Sequence, residues 1–78
     1  MKINVKLFAT FRIGRGKIVY LDYYEGMTVK NIIDELGIKK EEIAIIIVGP
    51  HDGTPEKMLT FKVEPNMTVH LFPPVAGG

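Results

Sequence analysis

Cysteine is absent from this chain, and so is tryptophan. Without thiols there is no disulfide to staple a small fold, no thiolate ligand for a metal and no thiol nucleophile. The same absence suits a reducing compartment. Charge of one sign is missing too: ten basic residues against nine acidic leave a net charge of +1. These charges are spread along the chain, so no basic stripe is present to follow a nucleic-acid backbone. No apolar run approaches the length that crosses a bilayer. The opening MKINVKLF alternates apolar and polar residues, unlike the apolar core of a signal peptide. Repeats and low-complexity segments are lacking. The expectation is a cytoplasmic domain with neither a nucleic-acid nor a membrane partner. What is present is a 46% hydrophobic content in 78 residues, one domain near the lower limit for folding unaided.

Periodicity divides the chain into elements. In KINVKLFATF, Ile3, Val5 and Leu7 point one way, while Lys2, Asn4, Lys6 and Phe8 point the other, as in a strand with one buried face. Gly14 and Gly16 supply the positive φ of a turn, and KIVYLDYY returns as the second strand of an antiparallel hairpin. The period then changes. Val29, Ile32, Ile33 and Leu36 fall on one helical face. Thr28 stands at the N-cap, with Met27 before it as a hydrophobic staple onto Ile32. Gly37 closes the helix in the left-handed conformation, and Ile38 folds back on Ile33. After the polar KKEE, the apolar IAIIIVG is read as an interior strand and GPHDGTPEK as a loop. MLTFKV is read as a short strand, EPNM as a turn with Asn66 at positive φ. TVHLF is the last strand, stopped by Pro73-Pro74.

Chemistry-bearing residues are few. His51 and His70 lie far apart in sequence without accompanying ligands, so no metal site is expected. His51 is read as capping its turn beside Asp52, and His70 as a half-exposed strand residue. Asp34-Glu35 and Glu41-Glu42 are solvated surface pairs. GRGK at 14–17 lacks the strand-loop-helix context of a phosphate loop.

The remaining feature is the ending, FPPVAGG. Phe72 ends a strand and anchors the tail to it. Pro73 and Pro74 fix φ and favour an extended polyproline conformation. Val75, Ala76, Gly77 and Gly78 then shrink in side chain, and residues 73–78 reach about 20 Å when extended. The chain thus divides into a domain over 1–72 and an extended tail over 73–78. The α-carboxyl of Gly78, ionised at neutral pH, could attack a phosphoanhydride to give an acyl adenylate, which a sulfur or amine nucleophile would displace. Two readings stand side by side: an unstructured end, or an arm made to enter a narrow channel of another protein.

The strand and helix order, β-β-α-β-β-β, resembles the ubiquitin-like β-grasp. This is an α+β fold with a mixed sheet of four to five strands and one main helix packed on one face. In it the first and last long strands lie side by side and parallel in the middle of the sheet. With the ending VHLFPPVAGG, the first strand VKLFATFR and the helix entry EGMTVKNIIDEL, the chain resembles the MoaD family of sulfur carriers, the small subunits of molybdopterin synthase. The related ThiS carriers of thiamine synthesis share Gly-Gly but usually lack Pro-Pro. The loops VGPHDGTPEK and EPNM depart from the family pattern.

The resemblance implies a route and a set of partners. An E1-like adenylating enzyme would use ATP to activate Gly78, and a sulfur-transfer protein would convert it to a thiocarboxylate. The tail would then enter the large subunit of molybdopterin synthase and give sulfur to a cyclic pyranopterin precursor, for a molybdenum or tungsten cofactor. Gly78 would carry the reacting carbonyl, and Gly77 would give clearance. Catalytic residues would lie on the large subunit, and no cofactor would be bound by this chain. The alternatives are an archaeal-type ubiquitin-like modifier joined to lysines through Gly78, a ThiS-like carrier, or an interaction module whose Gly-Gly is incidental.

Strand parity adds a surface. With Ile3, Val5 and Leu7 inward, Lys6 and Phe8 face outward; with Val69 and Leu71 inward, so do His70 and Phe72. Phe8, His70 and Phe72 are therefore expected to share the uncovered face as a partner interface, joined by Ile46 and Val48 or their alternates. A loop over 49–57 lying across this face would remove it.

Overall fold

The computed structural model describes residues 1–74. The expectations for Val75, Ala76, Gly77 and Gly78 lie outside the described residues. Five strands and two helices follow in the order β1 (Lys2–Leu7), β2 (Ile18–Asp22), α1 (Val29–Leu36), β3 (Ile45–Val48), β4 (His51–Gly53), α2 (Pro55–Met58) and β5 (Thr68–Phe72). They build one sheet in the order β2-β1-β5-β3-β4. The central pair β1 and β5 is parallel, and the other pairs are antiparallel. This is the ubiquitin-like β-grasp, with α1 as the main helix and the crossover from β2 at one edge to β3 on the far side of β5.

The parity of β1 holds to its last residue: Ile3, Val5 and Leu7 are fully buried. They meet Val69 and Leu71 of β5, Ile46 and Val48 of β3, and Val29, Ile32 and Ile33 of α1 in one core. At about 25 cal/mol per Å² of apolar surface, this cluster is the main stabilising contribution for a chain with no staple. Both ends of α1 are capped by its own sequence. The Thr28 hydroxyl accepts from the Asn31 N–H, and the Asn31 side chain accepts from the Thr28 N–H at 2.8 Å. Gly37, at φ +73°, ends the helix, and the Ile38 N–H donates back to the Ile33 carbonyl at 2.9 Å. Asn66 takes φ +70° as expected.

Three stretches differ from their sequence reading. The fourth strand is His51–Gly53, within the segment read as a loop, because Gly49 at φ +60° turns the chain back at once. Thr54-Pro55 then starts the single turn α2. MLTFKV is correspondingly not a ladder strand and makes only an isolated bridge, Lys62 with Thr28. Its carbonyls have another use: those of Leu59 and Phe61 accept from the N–H groups of Lys30 and Val29, which the first turn of α1 leaves unpaired. Finally, β1 and β2 are joined by a 3₁₀ turn over Ala9–Arg12 before Gly14 and Gly16, so the connection is longer than a tight hairpin.

The turn over Ala9–Arg12 and the placement of α2 shape the site. Met58 of α2 is buried in the core cluster on the α1 side. The segment 49–57 therefore extends the sheet and packs behind it, leaving the opposite face uncovered.

Candidate functional site

The uncovered face is built by the alternate residues of the same strands. β1 contributes Lys2, Asn4 and Lys6, and β5 contributes Thr68, His70 and Phe72. Pairing sets Asn4 beside Thr68 and Lys6 beside His70. On the other flank Ile45 pairs with Phe72 and Ile47 with His70. Asp52 of β4 follows next to Ile47. The alternates of Ile46 and Val48 thus supply the face, since Ile46 and Val48 themselves are fully buried.

Phe8 is the last extended residue after β1, at φ −127°, and keeps the outward parity. Its ring lies 4.2 Å from that of Phe72 at an interplanar angle of 13°. His70 is nearly parallel to Phe8 at 6.2 Å. The three residues expected from parity are therefore together. A further partner, Arg12, was not expected. Ala9 turns the chain at φ +52°, and the following 3₁₀ turn carries Arg12 back over Phe8, with its guanidinium carbon 5.5 Å from the ring centre. The Arg12 Nε also donates to the Leu7 carbonyl at 2.8 Å, which fixes the side chain in that position. No periodicity signals this contact, because it depends on the path of the turn.

Past Phe72 the face continues into the tail. The Ala44 N–H donates to the Phe72 carbonyl at 2.8 Å, so pairing with the β3 side holds the chain to the end of β5. Pro73 then joins Ala44, Ile45, Ile47 and Phe72 around a shallow hollow of about 330 Å³. Pro73 is half-buried and Pro74 exposed. The described chain thus leaves the sheet from the border of the Phe8–Phe72 aromatic cluster.

Towards β2 the face turns polar. Asn4, Lys6, Ile18, Tyr20, Thr68 and His70 line a groove of about 340 Å³. Burial, and then the neighbouring charge of Lys6, hold the His70 imidazole below its ordinary pKa, so the ring is mainly neutral at pH 7. His51 lies elsewhere: its ring meets Phe61 at 5.1 Å, in place of the expected cap beside Asp52. Among the described residues no group of three or more His, Asp or Glu side chains could hold a metal ion. No helix among them is long and apolar enough to cross a membrane.

Comparison with solved structures finds the same fold in two archaeal proteins. SAMP1 from Haloferax volcanii superposes with a TM-score of 0.76 at 20% identity, over 100% of both chains. A candidate molybdopterin converting factor, subunit 1, from Pyrococcus furiosus gives a TM-score of 0.73 at 22% identity, over 96% of this chain and 99% of the other. No protein-family model matches the sequence, and no curated protein matches it. The likeness is in the whole β-grasp architecture.

Proposed function

We propose that this chain is a sulfur carrier of molybdopterin synthesis, in which the sheet face around Phe8 and Phe72 docks partners and the tail delivers Gly78 to their active sites. The observation that carries the reading is the continuity of the two parts. Phe72 is at once a member of the stacked aromatic pair and the last strand residue before Pro73-Pro74. A partner seated on the pair is therefore placed beside the emerging tail, and prolines give that tail a direction. The converting-factor likeness and the FPPVAGG ending support the same reading.

The chemistry follows from one functional group. The Gly78 carboxylate attacks the α-phosphorus of ATP on an E1-like enzyme and expels pyrophosphate. Hydrosulfide delivered by a sulfur-transfer protein then attacks the acyl carbon and expels AMP with loss of a proton, and the resulting thiocarboxylate passes to the large synthase subunit. Glycine at positions 77 and 78 removes side chains from the reacting end. This chain contributes recognition and delivery, and the proton transfers belong to its partners.

The test is reconstitution of the full chain with ATP, an E1-like enzyme and a sulfur donor, followed by intact mass. The expected product is heavier by the exchange of one oxygen for one sulfur, and truncation before Gly78 abolishes it. An unchanged mass with an active enzyme and donor would refute carriage. A Gly-Gly remnant on lysines of other proteins would move the assignment to a protein modifier, which uses the same activation.

A further inference from the structure

The polar groove beside the aromatic pair has an unusual balance of groups. It contains one ammonium, Lys6, the imidazole of His70, and the neutral hydrogen-bonding groups of Asn4, Thr68 and Tyr20, with Ile18 as its apolar wall. Asn4, Thr68 and His70 are half-buried. None of these five polar side chains takes part in the hydrogen bonds or ion pairs found among the described residues. The carboxylates of the same face are placed away from the groove centre. Asp22 is bound to Lys2 at the far end, and Asp52 stands beyond Ile47 on the other side of β5. The groups facing His70 are thus Lys6 from β1, Phe8 after it, Ile47 from β3 and Thr68 and Phe72 from its own strand, with Asp52 next beyond Ile47. Among the described residues the nearest charge is positive.

We propose that this groove is a specificity subsite of the docking face, which receives an acidic side chain of the protein partner and holds its carboxylate against Lys6 and His70. The inference rests on the proposed docking role of this face and names the partner's chemistry at one position. Charge complementarity supports it. A partner covering Phe8 and Phe72 also covers Lys6 and His70, and burying an ammonium without a counter-charge opposes binding. A carboxylate there supplies the counter-charge and engages the neutral donors around it.

The proposal fixes the sign of a pH effect. In the free protein the His70 proton is disfavoured by burial and by Lys6. A carboxylate in the groove favours that proton, so the imidazole pKa is higher in the complex than in the free chain. Binding then takes up a proton, and affinity rises as pH falls through the value in the complex. An apolar partner surface would give the opposite slope.

The experiment is calorimetric titration of the full chain with the large molybdopterin synthase subunit from the same organism, between pH 8 and pH 6. Wild type is compared with Lys6→Gln, His70→Gln, Phe72→Lys and Lys57→Gln. The last removes the same charge as Lys6→Gln from α2, away from the groove. Folding of each variant is checked by urea melts. The expected result is an affinity that rises about three- to tenfold towards pH 6 in wild type and stays flat in His70→Gln. Lys6→Gln weakens binding about tenfold, and Lys57→Gln changes it less than about twofold. Flat or falling affinity in acid, or equal effects of the two lysine variants, would overturn the subsite. If Phe72→Lys abolishes binding while those results occur, the docking face stands and only the carboxylate is wrong. If wild type and Phe72→Lys bind alike, or neither binds, the docking reading fails and the subsite with it.

Discussion

The Phe8–Phe72 stack should be measurable as a coupling energy independent of any partner. The rings are 4.2 Å apart and within 13° of parallel, and both are half-buried. Such pairs contribute roughly 0.5–1.5 kcal/mol beyond the area they bury. Phe8→Ala alone removes more than this, because Arg12 also loses the ring it lies over. Phe72→Ala alone also uncovers Ile45 and Pro73. A double-mutant cycle cancels those separate losses and leaves the pair. We expect each single variant to destabilise by about 2 kcal/mol and the double variant by about 3 kcal/mol. The coupling is then about 1 kcal/mol. With an m-value of roughly 1 kcal/mol/M for so small a domain, it appears as a shift of about 1 M in the urea midpoint. Additive single effects, within about 0.3 kcal/mol, would show that the rings do not stack in solution and would remove the main structural support for a preformed docking face.

Further predictions concern the parts that hold this face in place. Leu71→Ala, a fully buried residue between the outward His70 and Phe72, should cost about 2–5 kcal/mol in a urea melt, and retention of the wild-type midpoint would contradict its place in the core. Gly37→Ala should cost about 1 kcal/mol from the left-handed backbone alone, since a Cβ there meets nothing within 4 Å. Ala9→Gly should stabilise by about 0.5–1 kcal/mol, because an L-residue at φ +52° is strained there; a loss of stability would place the strain elsewhere. For His70, the folded-state pKa lies below the unfolded one. Its contribution to stability is therefore present above the ordinary imidazole value and is lost as pH falls towards the folded one. Thermal melts of wild type should decline across that window, and those of His70→Gln should decline less.

The elements most legible in the sequence were those whose signals are local. Helix α1 was readable because its apolar spacing, Thr28 cap and Gly37 stop act within a few residues of one another. The outward parity of Phe8, His70 and Phe72 was readable for a similar reason: β1 and β5 alternate cleanly, and alternation alone decides which face a side chain takes. The parallel pairing of those strands then brought the residues together as the β-grasp order implied.

Where the sequence was silent, the outcome depended on partners distant along the chain. IAIIIV has no alternation, so either phase of β3 was compatible with it. Packing of Ile46 and Val48 against Leu71 and Val69 chose the one that leaves Ile45 and Ile47 on the open face. MLTFKV has the composition of a strand, but the unpaired N–H groups at the start of α1 claim two of its carbonyls, and the ladder position goes to His51–Gly53. Arg12 reaches Phe8 only because the chain turns at Ala9. Lys6 and His70, distant in sequence, become neighbours only through the β1–β5 register. By itself the sequence determined the capped helix, the strand faces and the character of the ending. The tertiary structure decided which side chains those faces bring into contact, because register and hydrogen-bond satisfaction are properties of pairs of segments, not of either segment alone.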